Sequence, residues 1–179
     1  LDGDCRIEPL VARAKELGQT ALAVTDHGVM YGAVAFYKAC CAAGIKPIIG
    51  CEVYVAPRSR FDKEHGVDSE YTHLILLCKN ETGYKNLCYL VSMAFTEGFY
   101  NKPRIDWALL HEYAEGLICL SGCVAGAIPR MINAGNYEGA KKKALELSKL
   151  FGEDGFYLEI QDHGLEAEKR AAEGLLRIH

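Results

Sequence analysis

Apolar positions recur along the chain with two different periods, and the period switches repeatedly. Over residues 7–17 they fall at Ile7, Leu10, Val11, Ala14 and Leu17, the i, i+3, i+4 spacing that lays a stripe along one side of a helix. Gly18 follows as a stop signal. Residues 21–24 are a short apolar run and predict a strand closing on Thr25-Asp26-His27-Gly28. A helix is predicted over 30–43, stopped by Gly44, and a strand rich in β-formers over 47–56. A polar loop over 57–70 carries Arg58, Arg60, Lys63 and His65, and a strand over 71–78 comes next. No helical pattern separates these last two strands. Parallel neighbours need a helical crossover, so the pair is expected to be antiparallel, which would bring Glu52 and His73 near each other. The alternation then resumes: helices over 81–95 and 106–113, a strand over 117–120, helices over 124–132 and 137–150, a strand over 156–160 and a helix over 166–178.

Repeated strand–helix units predict an α/β fold with a largely parallel sheet. In such folds sites form at the carboxyl ends of the strands, in an open sheet or a barrel. His27, Cys123 and His163 all follow predicted strands. The chain shows no internal repeat, low-complexity tract or domain linker.

Five possible metal ligands lie in or beside apolar runs: Asp2, His27, Glu52, His73 and Cys123. Carboxylates, imidazoles and a thiol are the donors that bind Zn²⁺, Mn²⁺ or Fe²⁺. Each also has a plainer reading. His27 is a ligand oriented by Asp26, or Asp26 caps the next helix and His27 is incidental. Glu52, inside an apolar strand, binds a metal, pairs with an arginine or faces solvent. His73 is a ligand or a hydrogen-bonded strand-end histidine. Cys123 is a ligand, a nucleophile for which no base is evident, or a buried thiol. The Asp162-His163-Gly164 string repeats the layout of Asp26-His27-Gly28, so His163 either reaches the site or caps the last helix. Lys102 and Arg104 either bind phosphate or sit in a solvated loop. His65, His111 and His179 stand in polar or helical contexts and are assigned no role. No Walker loop, strand-linked G-x-G-x-x-G or zinc-finger spacing occurs. Ligands scattered over many segments suit a multinuclear catalytic site better than a structural zinc.

The bulk numbers set limits. A chain of 179 residues with 50% hydrophobic and 25% charged residues fits one folded domain. A formal net charge of −4 argues against a chain that grips nucleic acid over its whole surface, though not against a local basic patch. No apolar run approaches bilayer length. The chain begins Leu-Asp-Gly without an initiator Met, so a piece of something longer is expected. Eight cysteines with no C-x-x-C predict free thiols in a reducing cytoplasm.

Six strings, TDHGVMYGAVAFYKA, AGIKPIIGCEVYVAPRSRF, HLILLCKNETGYKNL, TEGFYNKPRID, LSGCVAGAIPR and FYLEIQDHG, closely resemble the PHP (polymerase and histidinol phosphatase) domain at the N-terminus of bacterial replicative DNA polymerase III alpha subunits. The resemblance runs over essentially the whole chain and in order. The GCEVYVAPRSRFDKE string points to this branch over the single-domain histidinol phosphatases. It implies a distorted (β/α)7 barrel, here truncated at both ends, with up to three divalent metals (Zn, Mn or Fe) at the strand ends. Carried over by motif, the metal ligands are Asp2, His27, Glu52, His73 and Cys123. Asp26, His163 and Arg104 would lie beside the metals or at the rim. The family's opening His-x-His motif is expected upstream of Leu1 and its closing Asp-x-His beyond His179, outside this chain. The polymerase aspartates, with their Mg, are expected far downstream. The implied activity is metal-dependent phosphoester hydrolysis, as a 3′–5′ exonuclease or a pyrophosphatase. The implied partners are DNA, through the full polymerase, and other replicase subunits, without a membrane. Two other readings stand: a non-catalytic scaffold that stabilises the polymerase or docks a proofreading partner, and a stand-alone histidinol-phosphatase-like enzyme.

Overall fold

Strand β2 (Lys46–Val55) is the one on which the sheet is assembled. The computed structural model describes residues 3–179. β2 pairs in parallel with β1 (Ala21–His27) along residues 46–52 and antiparallel with β3 (Thr72–Cys78) along 50–55. β1 and β3 take opposite edges of β2. The two-residue strand β4 (Arg104–Ile105) therefore continues the edge that β1 leaves, pairing in parallel with Tyr54 and Val55. β3 pairs antiparallel with β5 (Leu117–Leu120), and β5 in parallel with β6 (Phe156–Tyr157). The described strands thus form an open, mixed sheet in the order β1-β2-β3-β5-β6, with β4 beside β2.

Among the described residues seven helices accompany them: α1 (Ile7–Glu16), α2 (Ala33–Ala43), α3 (Glu81–Thr96), α4 (Trp107–Glu112), α5 (Ala127–Asn133), α6 (Tyr137–Phe151) and α7 (Glu166–Ile178). Three start on side-chain caps. Asn80, Asp106 and Asn136 accept hydrogen bonds from Gly83 N, Leu109 N and Gly139 N, which satisfies amides that no helical carbonyl reaches. The strands alternate between two faces. Cys51, Val53 and Val55 of β2, Leu74 and Leu76 of β3 and Cys119 of β5 fall on one face, packed with Leu87 and Leu90 of α3 and Leu147 of α6 in the main core. Val11 and Phe36 of α1 and α2 extend this layer over Val24 and Ile49. The opposite face carries His27, Glu52, Tyr54 and His73.

Most predicted elements are present, and the differences have local causes. The pair 47–56 and 71–78 is antiparallel as expected. β1 runs to His27 rather than ending at residue 24, because its pairing with β2 continues to the His27–Glu52 register. The helix expected over 124–132 begins only at Ala127, since residues 121–126 are held against β3: His73 N donates to Ala125 O at 3.1 Å. β6 stops at Tyr157, where the next amide bond is to a side chain, Glu159 N to Ser121 Oγ at 2.8 Å. β4 is too short to leave a periodic signal.

Arg104 is placed differently from the rim position expected. Its β4 pairing turns the guanidinium inward, leaving the residue no exposed surface. Its nitrogens donate to the carbonyls of Gly98 at 3.1 Å, Asp68 at 2.7 Å and Asp62 at 2.9 Å. It therefore ties the 57–70 loop to the sheet and is not available to a substrate. Two more arginines complete this arrangement. Arg58 grips Asp68 through both carboxylate oxygens, at 2.9 and 2.6 Å, and Arg60 joins Asp106 at 3.1 Å and Glu97 at 2.6 Å. Bidentate geometry makes such pairs stronger than ordinary surface ion pairs. The Arg58 hydrogen bonds hold the Asp68 carboxyl down to about 2.

Arg104→Met is expected to destabilise the fold by on the order of 3 kcal/mol, because it orphans three carbonyls around a buried site. Chemical denaturation checks this. Asp68 adds a pH dependence whose sign follows from its lowered value. Its contribution is complete above the unfolded carboxylate range, near about 4, and is lost as pH falls toward about 2. Asp68→Asn should flatten that limb of the melting-temperature profile.

Candidate metal centre

Register alone dictates which side chains meet. His27 lies opposite Glu52, and His73 lies opposite Tyr54. Residues in register share a face, as do residues two apart on one strand. His27, Glu52, Tyr54 and His73 therefore project together. Glu52 Oε1 lies 2.7 Å from His27 Nδ1 and 3.2 Å from His73 Nδ1. Cys123 joins from the loop after β5, with its Sγ 3.7 Å from His73 Nδ1. That loop can press against β3 partly because Gly122 has no side chain: a Cβ there would meet His73 O at 3.2 Å. Gly28, at φ +70, makes the turn after His27, and a Cβ would meet the Tyr54 ring at 2.8 Å.

The electrostatics follow from burial. Glu52 is only 8% exposed, and among the described residues its carboxylate meets the two imidazoles rather than a lysine or arginine. Burial pushes the His73 imidazole below its ordinary value, Glu52 opposes this, and Arg130, His27 and Lys102 add to the depression. His73 is accordingly neutral near pH 7, the form that can act as a ligand. Burial pushes the Cys123 thiol up, and the charges of Glu52 and Glu159 push in the same direction against a hydrogen bond from the Ala125 amide. Tyr71 stacks on the His73 ring, with centroids 5.8 Å apart and planes 5° from parallel, and Tyr54 meets its edge. Lys102 Nζ stands 5.5 Å above the Tyr54 ring.

Four of the sequence-predicted ligands are thus together: His27, Glu52, His73 and Cys123. Asp2 lies outside the described residues. Among the described residues no group of three or more His, Cys, Asp or Glu side chains is arranged so that it could hold a metal ion. The donor chemistry nevertheless fits a borderline divalent ion: two imidazoles, a carboxylate and a thiol within reach of one another.

The neighbouring candidates have partners of their own. Asp26 alternates to the other face of β1, where its Oδ2 accepts from Gly32 N at 3.0 Å and shapes the entry to α2. His163 is held by Glu168, through its backbone N at 2.6 Å and Nδ1 at 2.8 Å, at the start of α7. Of the two basic candidates the structure separates one from the other, and Glu159 was not singled out in the sequence. Lys102, not Arg104, is the cation facing the site. Glu159 acts on the Cys123 thiol through its charge and lies past the end of β6, where its amide donates to Ser121 Oγ.

Residues 1–163 match the PHP domain family. This chain belongs to it. The PHP chain is 54% identical over 179 residues to the DNA polymerase III subunit alpha of Treponema pallidum, covering 99% of its own length and 15% of the relative's. It is 48% identical over 178 residues to that of Borreliella burgdorferi, with 99% of this chain and 15% of the relative covered. It is 49% identical over 174 residues to that of Thermus aquaticus, with 95% and 14% covered. The chain therefore spans about 15% of the length of these relatives, matching their N-terminal region. PHP domains are generally metal-dependent, in keeping with the donor set assembled here. No helix among the described residues is long and apolar enough to cross a membrane.

Among the described residues Glu52 holds the His73 value up against burial. In Glu52→Gln, His73 should therefore titrate at a still lower pH. Imidazole resonances followed by NMR across the acid range measure this, and an upward shift would contradict the assigned contact.

Proposed function

We propose that this PHP domain is a metal-dependent phosphoesterase segment of a bacterial replicative DNA polymerase III alpha subunit. The observation that carries the reading is the convergence of His27, Glu52, His73 and Cys123. These four residues, with Asp2 as a fifth, would hold the metal, whether Zn, Mn or Fe. A bound divalent ion activates water for attack on phosphorus and offsets developing charge. The chain's own residues prepare for this. Glu52 Oε1 faces the Nδ1 of both imidazoles, which orients the rings and sets their tautomers. Burial keeps His73 neutral. Lys102 and Arg130, whose charges reach His73, give the rim the positive potential that a phosphate requires. The substrates in view are the 3′ ends of DNA, for 3′–5′ nucleotide removal, and pyrophosphate. DNA and other replicase subunits would be met through the full polymerase in the cytoplasm. Polymerisation and its Mg belong to other parts of that protein. The described sheet is taken as most of a distorted (β/α)7 barrel, since helices cover its apolar face while the ligands gather on the other.

A second reading is a scaffold that stabilises the polymerase or docks a proofreading partner. The hydrogen bond between Glu52 and His27 and the close approach of His73 to the same oxygen favour it, because these polar groups meet one another without an ion. A stand-alone histidinol-type phosphatase is less consistent with relatives several times longer than this chain.

Elemental mass spectrometry on the full-length alpha subunit decides between the first two. The phosphoesterase reading expects bound metal at stoichiometric levels, lowered by His27→Ala and by Glu52→Ala, with loss of at least about 100-fold in hydrolysis of DNA 3′ ends or pyrophosphate. A well-folded polymerase with neither metal nor hydrolysis would leave the scaffold.

A further inference from the structure

We propose that the groove between α2 and α3 docks an acidic, amphipathic segment of a separate protein, in which an aliphatic or aromatic anchor is flanked by carboxylates. The inference goes beyond the phosphoesterase reading and does not depend on a metal.

Helix α2 supplies the first observation. Its sequence, AVAFYKACCAA, contains a single charged residue, Lys38. A helix that is apolar nearly all round is normally buried all round. Phe36 and Cys40 are indeed fully buried, in a cluster with Val11 and Ile45. The other side stays open. Val34 and Tyr37, three residues apart and so neighbours on the helix surface, are 59% and 54% exposed. Tyr84 of α3 is 40% exposed and lines the same groove. The groove has a volume of about 650 Å³, and Pro47, Ile49 and Cys78 contribute to its wall. Pro47 and Ile49 lie on the helix-covered side of β2, since they alternate in step with Cys51 and Val53. Burial pushes the Cys78 thiol up to about 11, so it stays neutral there. The volume is that of a common binding cleft.

Charge points to the occupant. Lys38 of α2, Lys46 at the start of β2 and Lys79 just after β3 also line the groove, and all three are exposed. Among the described residues none of them forms an ion pair. Glu81, on the same rim, is already paired with Lys85 at 2.7 Å. In a chain of net charge −4, three unpaired lysines around apolar side chains complement a ligand that is itself both apolar and negative. A peptide fits this better than nucleic acid. The groove has no arginine fork for bidentate phosphate binding, and Pro47 and Ile49 offer base edges no side-chain donor or acceptor. An amphipathic segment laid into an apolar groove is a recurrent mode of recognition. The groove also stands apart from the candidate metal centre. It lies at the start of β2 and the end of β3, whereas His27 ends β1 and His73 begins β3 on the opposite face.

The test selects binders from a displayed library of random short peptides on the full-length alpha subunit. Selected peptides are synthesised and titrated against wild type, Val34→Asp and the double variant Lys38→Glu with Lys79→Glu. These positions are exposed, so the variants should keep the wild-type melting temperature. The expected peptides combine Asp or Glu with Leu, Ile, Phe or Trp. Both variants should bind them at least about 10-fold more weakly, and wild-type affinity should fall as salt is raised. Peptides that lack acidic residues, or that bind the variants as well as wild type, would overturn the proposal. Binding of single-stranded oligothymidylate that both variants weaken, with no acidic peptide selected, would assign the groove to nucleic acid instead. Failure to select any groove-dependent peptide would also overturn it, the outcome expected if the rest of the subunit covers this face. Metal content of the same preparations tests the phosphoesterase reading separately, so either can fail alone.

Discussion

A single buried carboxylate organises this domain. Glu52 sits in the middle of β2, the strand that pairs with β1, β3 and β4, and it is 8% exposed. A charge in that position needs partners. Parallel pairing on one edge supplies His27 and antiparallel pairing on the other supplies His73. The mixed pairing of the sheet is therefore more than a topological detail. Only with β3 antiparallel does the beginning of β3 arrive where β1 ends, so that residues far apart in the chain meet at one carboxylate.

The two faces of the sheet divide the work. Alternate residues of β2, β3 and β5 pack under the helices as an apolar core, while the intervening residues carry polar chemistry. Catalytic or ligand groups built on paired strands are held more rigidly than groups on loops. Cys123 joins the cluster from a loop, and backbone bonds dock residues 121–126 onto β3. On the flank, Arg58, Arg60 and Arg104 fasten the polar 57–70 loop through carboxylates and carbonyls. That loop has little apolar surface of its own, so hydrogen bonds to fixed charges take the place of a core.

Much of the fold was legible in the sequence because its elements carry strong local signals. The helical stripe from Ile7 to Leu17, the β-rich run after Pro47 and the lack of a helix before His73 each pointed to what is found. The misreadings share a cause. β1 was cut short at Val24 because Thr25, Asp26 and His27 are polar, yet strand identity there is decided by pairing with Gly50, Cys51 and Glu52. β4 and the end of β6 depend on neighbours that no local window contains. Arg104 reads as a basic loop residue and turns out to be fully buried, because its donors find carbonyls from distant segments.

For the site, the family's motifs named Asp2, His27, Glu52, His73 and Cys123, while the residue types alone left metal binding as one reading beside plainer ones. Composition and periodicity could go that far because donor atoms and strand periods are properties of single segments. Which donors share a face, that Asp26 points away, that Lys102 and not Arg104 fronts the site, and that Glu159 acts on the Cys123 thiol were decided only in three dimensions. Those facts depend on register between strands and on which groups burial brings together, and neither is written in any one stretch of the chain.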